Sequence, residues 1–522
     1  MTETHDVIVI GAGHNGLVCA NLLARGGRRV RVLEAAGRPG GAACTRPFAE
    51  GFSVSAGAHL LLHFPDRLVR DLALEKHGLR FAAQSLGTVL LREDGQHLRL
   101  DAGVASGEGL NAEDISAWRD FHDETGRYAA ILARAFGQRP PRLLGGDWRD
   151  RLGLLRLGLD IRLLGRDRMR EVLRIGLMNI YDLVRERFTD ERLQAAVAFD
   201  AVLGTGMGPR SPNTVMSYLY RRSGEALRRG GLTLPAGGMG ALAEALAASA
   251  MARGVEIRYG ARVAGISVDT DGVQGVRLVS GECLAARTVI SNADPRTTLR
   301  DLVGYRHVDT GVARRVEGIR MRGMAAKLHL ALDALPEIRG LDRAGLGQRL
   351  VDCEGLESLE QAMNPSKYRA FSPEPVIEFC IPTLHDPSLA PPGKHVLSAI
   401  VQYAPCDLEG GWTDAARADF TSRVLARLER LAPGIGARVI ASELLTPPDL
   451  QHEFGMQGGH WHHGDIAVDQ LLMLRPIVLW SQYAMPPEGL WLCGAGAHPG
   501  GGVMGLAGAN CAAEILRQGA QQ

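Results

Sequence analysis

The chain opens on a change of hydrophobic period. Val7–Ile10 is wholly apolar, as a strand buried on both faces requires. Over residues 16–25 the apolar positions Leu17, Ala20, Leu23 and Ala24 return at helical spacing, and residues 29–33 read as a second strand. The same order closes the chain: an apolar strand at 490–493, a glycine-dense loop at 494–505, and a helix at 506–516. Between these ends, residues 241–253 pattern as a helix. Residues 255–259, 263–268, 273–278 and 288–290 pattern as strands, punctuated by Asp271-Gly272 and Ser280-Gly281. Further strand-like runs at 325–332, 376–381, 395–402 and 440–444 are expected to floor a substrate cavity, and residues 60–230 read as largely helical.

The first strand runs into Gly11, Gly13 and Gly16, a GxGxxG spacing that encloses His14 and Asn15. Gly11 permits the tight turn, Gly13 admits a pyrophosphate close to the backbone, and Gly16 lets helix and strand pack closely. The helix that follows presents free N–H groups and its positive dipole end to phosphate. Glu34, followed by Ala35, ends the second strand at the distance where a carboxylate accepts hydrogen bonds from an adenosine ribose. Strand, helix and acid together read as a dinucleotide site, and leave FAD and NAD both open.

Residues 37–41, Gly-Arg-Pro-Gly-Gly, make a second glycine turn, completed by Gly40, Gly41 and Ala42. That turn resembles the flavoprotein superfamily of amine oxidases and carotenoid desaturases, whose cofactor is FAD. PRSPNT (209–214), GGMGALAEAL (237–246), HGDIAVDQLLMLRP (463–476) and HPGGGVMG (498–505) extend the likeness over nearly the whole chain. Together they resemble the phytoene desaturase-like FAD-dependent oxidoreductases, in particular the subgroup labelled pyridine nucleotide-disulfide oxidoreductase domain-containing protein 2. That label is not chemistry here, because a disulfide reductase needs CxxC and none of the eight cysteines has that spacing.

The resemblance implies non-covalent FAD. It implies Gly502, Val503 and Met504 beside the isoalloxazine ring, Gly494 and Ala495 beside the ribityl chain, the Val263 backbone on the adenine, and Ala293 alongside the cofactor. Gly57 and His59 fall where the chain first returns to the flavin. Flavin amine oxidases carry Arg two and eight residues after the ribose acid. Ala36 and Ala42 stand there in this chain, which argues against an amine oxidase of the familiar kind.

The expected fold class is α/β. A Rossmann-type FAD-binding domain of the glutathione reductase/amine oxidase-like superfamily is interleaved with an α+β substrate domain under a helical cap. Residues 1–60, 231–300 and 486–522 are assigned to the FAD domain. Residues 61–230, mainly the cap, and 301–485 are assigned to the substrate domain. The resemblance implies removal of two hydrogens from a small apolar substrate such as a polyene or isoprenoid, with a hydride passing to flavin N5. One complete fingerprint, without a second nucleotide site, implies an external electron acceptor, oxygen or a quinone. Amine and amino-acid oxidases, saturases, isomerases and a non-catalytic FAD scaffold stay open, because the fold carries all of them.

Composition narrows the partners. Hydrophobic residues make up 46%, charged residues 22%, and the net charge is +1, so no bulk field attracts nucleic acid. No apolar run is long enough to span a bilayer and no signal peptide precedes the first strand. The expected location is cytoplasmic, with membrane contact only peripheral. That contact would fall on residues 153–188, rich in Leu and Arg at helical spacing. The competing reading is a cap whose leucine face is core. Oligomeric state is not encoded in any of these patterns.

Three residues are candidates for chemistry. GGHWHHGD, residues 458–465, carries His460, His462 and His463. In an extended loop the first two face one side and the third the other, too few converging ligands for a metal, so none is expected. The family resemblance places His463 at the flavin–substrate junction as general base or orienter, with His460 and His462 packing around Trp461. Lys327 is a lone lysine on an apolar strand and, by likeness to flavin oxidases, a candidate for activating oxygen. Arg475, before Pro476, is a candidate to pair with Asp465 or Asp469, or to meet an anionic substrate group.

Overall fold

The computed structural model of the chain describes residues 5–142, 145–228 and 230–519. Two sheets organise it. The first sets Glu256–Arg258, Val30–Leu33, Val7–Ile10, Thr288–Ser291, Leu490–Leu492 and Ala484–Met485 side by side in that order. The first five run parallel, and Ala484–Met485 is antiparallel. Val7–Ile10 lies inside the sheet and is buried throughout, which explains its unbroken apolar run. The strands come from the beginning, middle and end of the chain, so the segments between them leave this sheet and return to it.

Helix His14–Arg25 packs between Met239–Met251 and Leu506–Gly519. Gly508 makes the second contact close, since a Cβ there would lie 2.0 Å from Asn15 O. The other neighbour is tied by polar bonds: Asn21 Nδ2 donates to Leu246 O at 2.9 Å, and the Ser249 hydroxyl donates to Asn21 Oδ1 at 2.9 Å.

The second sheet has eight strands, with Ala325–Leu332 between Val439–Leu445 and His395–Gln402, followed by Ile377–Cys380, Arg349–Asp352, Thr88–Leu91, Leu98–Asp101 and Val104–Ser106. Every residue of Ala325–Leu332 is buried. Alternation sends Ala326, Leu328, Leu330 and Leu332 into an apolar core shared with Val424 and Leu428 of the helix Asp414–Leu431. Lys327 and His329 therefore face the opposite side. Register aligns Lys327 with Ile400, Ile400 with Glu378, and His329 with Ser398, so polar groups from three strands share that face.

Three strands of this sheet, Thr88–Leu91, Leu98–Asp101 and Val104–Ser106, lie in the region read as largely helical. They are short, and Thr88–Leu91 pairs in parallel with the distant Arg349–Asp352, so tertiary pairing and not local pattern creates them. Helices dominate from Ala112–Phe136 to Thr214–Leu227. The Leu- and Arg-rich stretch forms Trp148–Arg162, Arg166–Ile175 and Ile180–Arg187. The expectation that its leucines are core is overturned for the first of these helices, whose sole buried residue is Asp150.

Candidate functional site

Steric need shapes the turn after Val7–Ile10. Gly11 has φ +95°, and a Cβ on Gly16 would lie 2.3 Å from Gly11 O. The space beside Gly13 goes to Asn292, whose Nδ2 would be 2.5 Å from a Cβ there. Asn292 is itself fixed by donating its N–H to Ile10 O at 2.9 Å. No side chain caps the helix His14–Arg25, and no acid occupies its first turn, so its positive end is uncompensated.

Glu34 lies against this turn. Its Oε2 accepts from Ala12 N at 2.6 Å and its Oε1 from Ala36 N at 2.8 Å. Each oxygen keeps a further lone pair with which to accept a hydroxyl. Ala35, next to it, is exposed. Ala261 donates to Glu34 O at 2.8 Å, two residues before Val263 begins its strand. The second glycine turn packs on the first, with Gly40 N donating to Ala12 O at 2.9 Å and Gly41 close to Gly13. Gly57 N donates to Ala42 O at 3.2 Å.

The closing loop meets the same place from the other end of the chain. A Cβ on Gly494 would lie 2.4 Å from Asn292 O, so two strand ends touch there, and Ala293 follows directly. Gly502 and Val503 both have positive φ, +106° and +35°, the second a conformation that side chains rarely adopt. Met504 is fully buried.

The histidine segment packs on this loop. A Cβ on Gly501 would lie 2.6 Å from His462 Cα, and Tyr220 donates its hydroxyl to Gly501 O at 2.7 Å. The three histidines enter three environments. His460 Nε2 lies 3.0 Å from Asp465 Oδ1, His462 stands edge-on to the Tyr220 ring, and His463 sits near His14 and Asp294. Trp461 lies over Gly204, where a Cβ would come within 2.0 Å of its ring. Among the described residues no group of three His, Cys, Asp or Glu side chains could hold a metal ion. Burial lowers the pKa of His463 to about 4, against the opposing pull of Asp294. At neutral pH it is an uncharged, weakly basic imidazole, better suited to hydrogen bonding than to taking a proton.

Arg475 is buried and does not pair with the side chain of Asp465 or Asp469; both carboxylates belong to Arg320, at 3.3 and 2.7 Å. Its guanidinium instead donates to the carbonyls of Ala495, Asp465, Gln470, Gly464 and His462. Every donor nitrogen is engaged, so the residue clamps the histidine segment onto the closing loop, and no nitrogen is left over for a substrate anion.

Among the buried polar atoms of this cluster that find no partner are His14 Nε2, Asn15 Oδ1, Asp294 Oδ2 and His463 Nδ1. Such atoms mark a place that a polar ligand completes. With the bare helix end, the glycine turns and Glu34, the residues fit a flavin dinucleotide, the acid suiting the ribose and the helix end the pyrophosphate.

A second polar cluster adjoins the first through the segment that leads from Gly57 to His59. Lys327 Nζ lies 2.6 Å from His59 Nδ1, and His59 Nε2 lies 3.0 Å from Glu378 Oε1. That order makes His59 the Nε2–H tautomer, accepting from the lysine and donating to the carboxylate. Glu378 Oε2 accepts from Arg349 and from Arg221, which lies at 3.4 Å. Both arginines reach Asp200 Oδ1, at 2.6 and 3.1 Å. Ser398 bridges His59 and His329, at 3.3 Å to each.

The two carboxylates and two guanidiniums balance one another, which leaves the lysine without a counter-charge of its own. Burial lowers the Lys327 pKa to about 7, although Cys380 and Glu378 pull it upward. Burial and the lysine charge bring His59 to about 4. Burial alone would raise Glu378, but Arg349, His59 and Arg221 together hold it well below the usual carboxylate range.

The sequence candidates Lys327 and His59 thus meet, although they lie far apart in the chain. Glu378, Arg349, Ser398 and His329 were missed. The signal was present: Glu378 is a lone acid in the apolar run PVIEFCI, and His329 follows Lys327 at the strand period.

The family model described as flavin containing amine oxidoreductase matches residues 16–501. The mouse pyridine nucleotide-disulfide oxidoreductase domain-containing protein 2 is 34% identical, over 98% of this chain and 93% of its own. The phytoene desaturase (lycopene-forming) of Pantoea ananas is 24% identical, over 96% of each chain. Among solved structures, putrescine oxidase bound to putrescine superposes with a TM-score of 0.63 at 16% identity, covering 100% of both chains, a likeness of fold.

Proposed function

The chain belongs to the flavin-containing amine oxidoreductase family and is an FAD-dependent oxidoreductase, and we propose that it dehydrogenates an apolar, unsaturated substrate of polyene, isoprenoid or lipid-like character. The observation that carries this reading is Lys327: buried, lowered to a pKa of about 7, and 2.6 Å from His59, whose own segment is joined to the second glycine turn by Gly57 N donating to Ala42 O. FAD, when bound, would supply the hydride acceptor, with an external oxidant such as oxygen or a quinone taking up the two electrons.

The chain's own groups handle the proton. Removing two hydrogens from adjacent carbons releases a proton along with the hydride. Neutral Lys327 Nζ accepts that proton and becomes the ammonium, a role for which a pKa near the working pH is well matched. His59 and Glu378 orient the amine. Asp200 and Arg221 are partly exposed and connect the far end of the network with solvent. His14, Asn15, Glu34 and the glycine turns would hold the dinucleotide without a covalent link, and His463 would donate or accept a hydrogen bond as a neutral ring.

The relative of Pantoea ananas, named as a phytoene desaturase, supports an apolar substrate. Ala36 and Ala42 speak against amine oxidation, and Glu378 is already neutralised by two arginines, so it offers little to a cationic amine.

The test is anaerobic titration of the FAD-loaded protein with a lipid extract and with primary amines, followed by mass analysis. Bleaching of the flavin by the lipid fraction, with a product two hydrogens lighter, is expected. Bleaching by amines alone would replace the proposal with an amine oxidase, and rapid bleaching by NADPH would remove the external-acceptor scheme.

A further inference from the structure

The helix Trp148–Arg162 contradicts the usual logic of an amphipathic helix on a folded protein. Its apolar positions Trp148, Leu155 and Leu159, with Leu163 just beyond, recur at spacings that put them on one face. Their exposures are 67%, 67%, 52% and 73%. The next helix, Arg166–Ile175, continues the surface with Leu173 at 66%, and Leu177 follows at 65%. Large side chains at this exposure, aligned on one face of a helix and recurring on the next, mark an interaction surface.

The charge around the stripe is one-sided. Arg149, Arg151, Arg156, Arg162, Arg166, Arg168 and Arg170 form no ion pair among the described residues, and Arg149 lies over the Trp148 ring. Of the acids on these helices, Asp150, Asp160 and Glu171 are paired with Arg139, Arg134 and Arg174, which leaves Asp167 alone against seven guanidiniums. A second copy of this chain would bring like charge against like charge in a two-fold contact. A surface of anionic headgroups over acyl chains satisfies both the leucines and the arginines.

A narrow cleft of about 50 Å³ runs beneath the helix, bounded by Gly153, Arg156 and Leu157 on one side and by Leu472, Met473 and His498 on the other. His498 opens the glycine loop that closes the flavin cradle. The cleft therefore lies between the exposed leucines and the candidate site.

We propose that this helix pair is a peripheral docking surface for an anionic lipid bilayer, seated with its leucines among the acyl chains and its arginines at the headgroups. Among the described residues no helix is long and apolar enough to cross a membrane, and docking by this face requires none. The inference deepens the proposed function in one respect, since it makes the bilayer the source of an apolar substrate.

The experiment uses the full FAD-loaded chain with vesicles of phosphatidylcholine alone and of phosphatidylcholine mixed equally with phosphatidylglycerol. Cosedimentation with the anionic vesicles is expected, together with a blue shift of Trp148 emission that is absent in Trp148→Phe. Leu155→Glu combined with Leu159→Glu is expected to lower partitioning at least about tenfold, and Arg166→Glu with Arg170→Glu to do so in a salt-dependent way. These residues are exposed, so flavin content and turnover of detergent-dispersed substrate are expected to stay unchanged. Unaltered turnover separates a failure of docking from a failure of the proposed chemistry. Wild-type protein that stays in the supernatant with anionic vesicles overturns the proposal. So does equal binding by the leucine variants, or a wild-type dimer that the leucine variants convert to monomer without any vesicle binding.

Discussion

Lys327→Met exchanges a buried ammonium for an apolar chain of similar length. The fall in pKa from the usual 10.5 to about 7 corresponds to about 5 kcal/mol. Between those values the unfolded chain holds a proton that the folded chain has lost, so native stability rises with pH across that window. Below about pH 7 the folded protein carries the whole cost, and above about pH 10.5 it carries none. Methionine removes the cost but gives up the bond to His59 Nδ1. That leaves Ser398 at 3.3 Å as the remaining partner, a loss of about 1–3 kcal/mol. The variant is therefore expected to be more stable by about 2–4 kcal/mol at about pH 6, an advantage that shrinks and then reverses toward about pH 10. Chemical denaturation of the FAD-loaded protein at the two pH values reads this directly. Flavin reduction by substrate is expected to slow by about 10²–10⁴-fold, as loss of a general base does. Lower stability at the acid end, or a difference that ignores pH, would refute a buried lysine of lowered pKa.

Other perturbations test the cradle. Gly16→Ala forces a Cβ to 2.3 Å from Gly11 O, and a loss of about 1–3 kcal/mol with little bound FAD is expected; a yellow protein of unchanged melting temperature would contradict it. Glu34→Gln turns one acceptor into a donor facing Ala12 N or Ala36 N, so FAD affinity measured by flavin fluorescence is expected to drop by about 1.5–3 kcal/mol. His463→Ala is expected to weaken FAD binding while leaving the pH profile of turnover in place, because a ring with a pKa of about 4 does not titrate at neutral pH. A pH optimum displaced by that change would return His463 to the role of base.

Much of the dinucleotide half was legible because its signals are local. A glycine must be glycine where φ is positive or a backbone passes within 2.3 Å, and the acid must end its strand, so Gly11, Gly16 and Glu34 were readable without partners. Arg475 was misjudged for the opposite reason. The sequence presents a cation near Asp465 and Asp469, while the folded chain aims it at carbonyls and hands both acids to Arg320. Backbone acceptors leave no trace in side-chain identity.

Strand alternation in AAKLHLAL was enough to place Lys327 and His329 on the side opposite the leucines, and the glycine spacing was enough to announce a dinucleotide turn. Only the tertiary structure decided what stands against Lys327. His59 comes from one end of the chain and Glu378 from another strand, and the burial that brings the lysine to a pKa of about 7 exists only when they meet. The leucines of Trp148–Arg162 make the same point in reverse. Their period says amphipathic, but whether an apolar face meets a core or the outside depends on what the rest of the chain packs against it, and here nothing in the described chain covers it.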